Sequence, residues 1–508
     1  NVEGVAMNAP LLERYADRIA GVLTCYDRIV ITGTLPGACH AAGMTSFLNA
    51  HHIRIFDYPR FAEPLRDRIR ANAEKLATSA GTKIEYIAKA HVRKESIVAA
   101  VIQERGDHPG LVHVISTMEA CSSYRSWHDK RTHETFLRPT PGKCLHYYFY
   151  FIDPKLGLVY LRVPTWCPFR LQFYCNGHSW LARQLAAANI DYTMADNAFI
   201  RIDDWDRAQQ LADRLSPDVL HRVLDHYAKQ CCPVLDVFGQ TYHWSLMQIE
   251  CSTDLAFRSQ ATMLPLYQAI SREAIVSVKA EHVMHFLGKK MSPQLMQEVE
   301  SRLSTRIEGT CIKHRLGKNS VKMYDKFGRV LRIETTTNDI SFFKHHRKVE
   351  HRDGHASREL AAVKKSIYSL IDLREILLGC NRRYLEFLSA LDDFSAGTRS
   401  LDKLTTAKQI DGHRVKGFNF FDKTEHSLLC SLQRPEFNIS GVRRADLKPY
   451  LPHLSASSIT RYLKRLRDFG LIKKVVGTYR YYLTRIGRNA IAAACKLSEH
   501  VIIPALAV

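Results

Sequence analysis

The stretch Thr310–Thr337, TCIKHRLGKNSVKMYDKFGRVLRIETTT, decides how the middle of this chain folds. It reads as three short antiparallel strands, Thr310–Leu316, Ser320–Lys326 and Val330–Thr336. Gly317-Lys318-Asn319 makes one turn and Phe327-Gly328-Arg329 the other, each with a glycine to accept positive φ. Side chains alternate between the faces of a strand. Val321, Met323, Leu331 and Ile333 therefore form an apolar face that can seat on a core. Lys322, Tyr324, Lys326, Arg332 and Glu334 gather on the other face, within cross-strand reach. Rows of this kind are common on solvated sheet surfaces, where opposite charges pair. A phenol between cations with a carboxylate nearby also suits phosphate chemistry.

Working outward, Tyr242–Phe257 reads as a strand running into a helix. If extended, it places Gln248, Glu250 and Asp254 on one face. With Glu334, the residues Glu250 and Asp254 are candidate ligands for Mg2+ or Mn2+, hard cations that take oxygen donors. Ala261–Ser277 and Pro293–Ser304 read as helices before the meander.

The N-terminal part alternates helix and strand, which favours an α/β layer. Leu11–Leu23 has helical periodicity, and Arg28–Gly33 is a β-branched run. Phe61–Ala80 and Lys94–Arg105 are helices, and Lys83–Ala88 and Gly110–Thr117 strands. Cys121–Pro141 reads as an exposed basic loop. Leu145–Ile152, Leu158–Val163 and Phe169–Cys175 are aromatic-rich strands, followed by a helix over Ser179–Ala188. Tyr148, Tyr150, Trp166 and Tyr174 beside Arg162 and Arg170 are either a platform for base stacking or ordinary core, and near-continuous apolar strands favour core. Ile190–Asp203 forms a hairpin, Asp204–Leu215 a helix, and Ser216 caps another that starts at Pro217.

Composition narrows the partners. The 508 residues suffice for two to four domains. The net charge is +21, and residues 341–508 hold 30 Lys+Arg against 16 Asp+Glu. Such an excess implies a polyanion, with nucleic acid favoured over a membrane. Thirteen cysteines without a CxxC pair point to reduced thiols in a cytoplasmic, nucleoid-associated protein. No membrane-spanning run and no signal peptide stand out, although a chain starting at Asn1 leaves room for a missing initiating segment. Neither GxxxxGK[ST] nor GxGxxG occurs, which argues against P-loop and Rossmann enzymes.

After the meander, Phe342–Ser357 is a histidine-rich basic loop in which Arg347 and Lys348 are candidate phosphate contacts. Its histidine spacing matches no zinc motif. Leu360–Leu391 is helical and Ser395–Gly417 a linker. In residues 421–508, Thr424–Leu432 and Val442–Tyr450 are helices. A third, SSITRYLKRLRDFG, is capped by Ser455 or Ser457 and carries the stripe Ile459, Leu463, Leu466 and Phe469. Ile472–Val476 and Tyr479–Leu483 form a two-stranded wing, and Thr484 caps a last helix. Ser458, Arg461, Lys464, Arg465, Lys473, Lys474 and Arg480 are candidate nucleic-acid contacts.

Two resemblances add to this reading. LRDFGLIKK…YRYYLTRIGRNAI resembles the winged-helix domain of MarR-type regulators, which implies a third helix in a major groove and a wing, Lys474–Arg480, along phosphate or the minor groove. SVKMYDK…LRIET resembles the strand pair of rolling-circle replication initiators, through Lys322, Tyr324, Lys326, Leu331, Arg332 and Glu334. That likeness implies a nicking-type nuclease, with Tyr324 as nucleophile and Lys322 and Arg332 stabilising the phosphate. No His-x-His strand, the metal ligand set of many such enzymes, occurs in the chain.

The expectation is an α/β (α+β) multidomain protein of mixed sheets and helices with a C-terminal winged helix-turn-helix. Its parts are an α/β domain (1–215), helices plus meander (216–345), loop, helix pair and linker (346–420) and winged helix (421–508). The expected function is DNA strand nicking or transfer for a mobile element or replicon. Double-stranded DNA is the expected partner, with single-stranded DNA or RNA as further candidates. The competing expectation is a non-enzymatic DNA-binding regulator or RNA-binding protein.

Overall fold

A computed structural model describes residues 10–89, 91–290, 292–306, 309–392 and 395–506. The chain forms two compact units that divide after residue 392.

The first unit is built on one mixed eleven-stranded sheet. Its strands are β1 (Ile19–Thr34), β2 (Ile84–Tyr86), β3 (Gly110–His128), β4 (Thr135–Asp153), β5 (Gly157–Pro164), β6 (Leu171–Cys175), β9 (His243–Phe257), β10 (Val299–Arg306), β11 (Gly309–Leu316), β12 (Asn319–Lys326) and β13 (Val330–Thr337). A separate hairpin supplies β7 (Tyr192–Ala195) and β8 (Ala198–Ile202). The order across the sheet is β10-β11-β12-β13-β9-β1-β6-β5-β4-β3-β2, with only β2–β3 parallel.

That order contains the same connectivity twice. β1 is followed by helices and then by the meander β3–β6, whose last strand returns to pair with β1. β9 is followed by helices and then by the meander β10–β13, whose last strand returns to pair with β9. The two first strands, β1 and β9, pair antiparallel at the centre. A twofold relation between neighbouring strands requires that direction. The sheet is thus two half-sheets of one topology joined edge to edge.

The meander folds as the alternation dictates. Val321, Met323, Leu331 and Ile333 are buried against the helices Gln260–Ser277 and Leu370–Asp392. A larger core lies under the rest of the sheet, where Ile29, Ile31, Phe149 and Phe173 meet the helices Tyr58–Ser79 and Pro217–Cys231. Ser216 caps the second of these through Val219 N, as expected.

Tertiary pairing overrides local propensity at several places. The helix expected over Leu11–Leu23 stops at Arg14, and β1 starts at Ile19, because its ladder with β9 runs the whole length. Tyr242–Phe257 does not turn helical, since β9 is central and paired on both sides. The expected loop Cys121–Pro141 lies mostly within the paired arms of β3 and β4. Pro293–Ser304 is helical only to Met296, and Val299–Arg306 pairs as the edge strand. Phe342–Ser357 is not a loop. Lys344–Glu350 pairs with Ala356–Ala362 as a hairpin, and the helix after it begins at Leu370. The expected linker Ser395–Gly417 contains a helix, Ser395–Thr405, and a short hairpin. The sheet also runs across the expected boundary at 215/216, and residues 346–392 belong to the first unit.

The second unit contains the helices Lys423–Leu432, Pro435–Ser440, Arg444–Leu447 and Ala456–Asp468, a two-stranded ladder of Ile472–Lys474 with Tyr481–Leu483, and the helix Arg485–Leu497. Ile459, Leu463, Leu466 and Phe469 are buried in its core, as their spacing predicts. Ser455 caps the helix they lie on, and Thr484 the last long one. Among the described residues no helix is long and apolar enough to cross a membrane.

Candidate active site on the open face of the sheet

The face opposite the apolar core is polar across the second half-sheet. Register carries it from Arg28 on β1 to Glu250 on β9, with Thr336, Glu334 and Arg332 on β13, Ser320, Lys322 and Tyr324 on β12, and Lys313 and Arg315 on β11. Two cavities open on this face. One, of about 380 Å³, is lined by Asp27, Arg28, Tyr174, Glu250, Lys322, Tyr324 and Glu334, among others. The other, of about 460 Å³, carries Arg302, Lys313 and Arg315 with Glu300 paired to both arginines, so it keeps a positive excess, and it shares Lys322 and Tyr324 with the first. The shared residues join them into one groove with a carboxylate-rich end and a cationic end.

Three carboxylates meet at the acidic end. Oxygens of Asp27, Glu250 and Glu334 all lie within 4.8 Å of one another. Glu250 and Glu334 were expected there, and Asp27 was not. Its arrival depends on a β-bulge. Tyr26 pairs with Cys251 and Arg28 with Glu250, which leaves Asp27 as the extra residue. A bulge re-phases the strand, so Asp27 and Arg28 both line the cavity although they are neighbours in sequence. Simple alternation separates them, and no local signal marks the bulge.

Asp254, the third expected ligand, is engaged elsewhere. Both its oxygens accept from Arg332, Nε to Oδ1 at 2.7 Å and Nη2 to Oδ2 at 2.7 Å. Arg332 is fully buried and also donates to the carbonyl of Asn197 at 2.8 Å. His178 Nε2 lies 3.0 Å from Arg332 Nη2, and Asp27 Oδ1 lies 3.6 Å from Nη1. The helix Gly177–Ala187 and the β7–β8 turn thus roof this end of the sheet. Arg332 faces carboxylates and protein carbonyl, not the groove, so its place is to position Asp27 and Asp254. A bidentate arginine–carboxylate pair of this kind is strong and directional.

Lys322 sits among the three carboxylates. Its Nζ is 2.5 Å from Glu334 Oε1 and 3.7 Å from Glu250 Oε1. Asp27 further accepts from Asn197 Nδ2 at 2.6 Å, and Glu250 from Gln248 Nε2 at 3.0 Å.

Four buried or half-buried carboxylates (Asp27, Glu250, Asp254, Glu334) share this end with Arg28, Lys322, Arg332 and the His178 ring, which lies 3.3 Å from Asp27 and 3.5 Å from Asp254. Of the four, Glu334 is the one held protonated above the ordinary carboxylate range. Burial raises its pKa to about 8; Lys322 opposes the rise, and Glu250 and Asp27 add to it. Burial also works against ionisation of Asp27, but Arg332 and the hydrogen bond to His178 outweigh it and hold Asp27 well below the usual carboxylate range. A proton shared between the two belongs on Glu334. A divalent cation in place of the Lys322 ammonium would favour the ionised form of Glu334.

Tyr324 shares this face, with the ammonium groups of Lys322 and Lys326 5.8 and 5.7 Å from its ring centre. The expectation that these cations activate the phenol is not met. Burial and the Glu334 charge raise its pKa above the ordinary tyrosine value, and Lys322 offsets them only partly.

In the second unit the expected contacts separate into two kinds. Arg461, Lys464, Lys473 and Lys474 are exposed, and Ser458 is half-buried. Arg465 is not free for phosphate: it donates to Lys416 O at 2.8 Å and Glu425 Oε1 at 2.7 Å and lies over the Phe418 ring. Arg480 is half-buried and donates to Ser440 O. In the first unit, Arg347 Nε donates to Ala362 O across its hairpin at 2.9 Å, and Lys348 is exposed.

The aromatic rows are divided as well. Tyr148 and Tyr150 are buried, which agrees with the core reading, while Tyr174 lines the groove under Arg28 at 5.4 Å. All thirteen cysteines are free thiols. No family model matches the chain, and no curated protein and no solved structure shows significant similarity to it.

Proposed function

We propose that the chain is a nucleic-acid-processing protein that cleaves or transfers a phosphodiester strand, with Mg2+ or Mn2+ held by Asp27, Glu250 and Glu334. The observation that carries this reading is the convergence of three carboxylates at one end of a groove whose other end is cationic. Oxygen-only donors suit hard divalent ions. Such an ion would polarise a phosphate oxygen and lower the pKa of a bound water.

The protein's own groups have separate tasks in this scheme. Lys322, released from Glu334, would face the phosphate as a point charge. Arg302, Lys313 and Arg315 would hold the strand along the groove. Arg332 and His178 would fix Asp27 and Asp254 from beneath the roof. Tyr324, with its raised pKa, would orient or stack and not attack. The attacking group is then water, in place of the tyrosine that the replication-initiator likeness suggests.

The second unit would dock the duplex as a winged helix. Its helix order, its exposed Arg461 and Lys464, and the exposed Lys473 and Lys474 of its ladder support that role. Double-stranded DNA is the proposed partner, in the cytoplasm at the nucleoid. A mobile element or replicon would be its setting.

A second reading rests on Lys322. Its short contact with Glu334 closes the acidic cluster from within, which suits a binding protein that cuts nothing.

Incubation of the full chain with labelled single- and double-stranded DNA and RNA, with Mg2+, Mn2+ or EDTA, separates the two. Metal-dependent nicks that vanish in Asp27→Asn support the enzyme. Salt-sensitive retardation without cleavage of any substrate supports the regulator.

A further inference from the structure

The second unit carries another cluster of ligating side chains, remote in chemistry from the carboxylates. His426 and Cys430 stand four residues apart on the helix Lys423–Leu432, so they share one face. Cys495 lies on the helix Arg485–Leu497, and Glu499 follows four residues later in the same helical run. The two helices pack through Leu428, Leu429, Ile491 and Ala494. That packing brings one donor atom each of His426, Cys430 and Cys495 within 4.8 Å of one another. Cys430 Sγ is 3.7 Å from both ring nitrogens of His426 and 3.9 Å from Glu499 Oε1.

The geometry points to a structural zinc site formed by His426, Cys430 and Cys495, with Glu499 as fourth ligand, that ties the helices Lys423–Leu432 and Arg485–Leu497 together. Tetrahedral zinc with Zn–S near 2.3 Å and Zn–N near 2.05 Å separates sulfur from nitrogen by roughly 3.6 Å. The observed 3.7 Å between Cys430 and His426 on one helix fits that spacing, and the Cys495 sulfur on the other helix lies within 4.8 Å of both. Two thiolates and an imidazole select zinc over magnesium, whereas the carboxylates of the first unit select the reverse. His426 and Cys430 are half-buried and Glu499 exposed, so the set lies at the rim of the core, where an ion can enter. Binding would replace two S–H bonds with two Zn–S bonds and release two protons, with His426 ligating as the neutral ring.

The test uses the reduced, metal-free full chain titrated with Co2+ and then Zn2+. One Co2+ per chain should produce a thiolate-to-metal charge-transfer band, and Zn2+ should bleach it. Two protons should appear in weakly buffered solution. Cys430→Ser with Cys495→Ser should abolish the band. Since that variant removes core-edge groups, the parent is also alkylated with and without zinc. Zinc should protect Cys430 and leave the half-buried Cys121 labelled as before. Absence of a thiolate band, its persistence in the double variant, or equal alkylation of Cys430 with and without zinc would overturn the site. So would a Cys430–Cys495 disulfide that forms under non-reducing conditions whether or not zinc is present.

Discussion

Glu334 gives the sharpest test of the acidic cluster, because its proton and the proposed metal ion would compete for the same oxygens. Its pKa in the folded chain is about 8, against 4.5 ordinarily. Between those values the folded chain holds a proton that the unfolded chain has lost. Stability from this group is fully present below about pH 4.5, falls as pH rises, and is gone above about 8. The slope reaches at most about 1.4 kcal/mol per pH unit. Unfolding entropy of about 2.1 cal/mol/K per residue, over the 392 residues of the first unit, amounts to about 0.8 kcal/mol/K. The slope then corresponds to about 1.7 °C per pH unit, or about 3 °C from pH 5.5 to 7.5. Glu334→Gln keeps the shape and removes the titration. The assay is the melting temperature of parent and variant in EDTA across that range, read as their difference. Mg2+ or Mn2+ at a hundred times its dissociation constant should add about 2.7 kcal/mol, about 3 °C, to the parent at pH 7.5 and far less to the variant. A parent-minus-variant difference that stays constant with pH would show that Glu334 is ionised throughout, and the charge argument would fail.

Four further outcomes follow from the geometry. Arg332→Met leaves Asp254 buried without its partner and should cost about 3–5 kcal/mol, or about 4–6 °C in the first unit; adding Asp254→Asn should restore part of it, and a single variant that melts like the parent would exclude the ion pair as a structural element. Tyr324→Phe should cut nucleic acid within a few-fold of the parent, and a protease-sensitive covalent adduct on the parent would reinstate the tyrosine as nucleophile. Arg461→Ala with Lys474→Ala should lower the log–log salt slope of duplex binding by about 0.9 for each phosphate that is no longer neutralised. Arg465→Ala should instead lower the stability of the second unit, since its partners are Glu425 and backbone carbonyls, and a pure loss of affinity would reverse that assignment.

The meander was legible because its signals are local. Gly317 and Gly328 mark the turns at positive φ, and the alternation of Val321, Lys322, Met323 and Tyr324 assigns the faces. From those faces the pairing of Lys322 with Glu334 and of Tyr324 with Arg332 follows. What was not legible depends on distant chain. Asp27 reaches the cluster through a bulge whose partner strand lies more than two hundred residues away. Asp254 looked like a ligand until Arg332 claimed both its oxygens. VESRLSTR, the edge strand β10, carries helix-compatible residues and is extended only because β11 offers it a ladder. KHHRKVE reads as a loop for the same reason, since its partner ASRELAA divides between the end of that loop at Ser357 and the start of the expected helix at Leu360.

The repeated topology sharpens the question of why chemistry would settle on one half of the sheet. Each half has a polar cluster built on a glutamate. In the first half Glu119 accepts from Tyr148 at 2.8 Å and from Arg162 Nε at 2.8 Å, with Lys94 Nζ 3.2 Å away. Burial opposes its ionisation, but Tyr148, Arg162 and Lys94 together hold its pKa below the ordinary value. That carboxylate has more partners than it needs and no reason to bind a cation. In the second half Glu334 has one ammonium to share with Glu250 and Asp27, and its pKa rises. The bulge at Asp27 sharpens the difference, since it brings a carboxylate from the first half into the cluster of the second. A saturated carboxylate stabilises a fold, whereas the cation-poor cluster is where the proposed metal ion would sit. The join between β1 and β9 is therefore where the two half-sheets make something that neither contains alone.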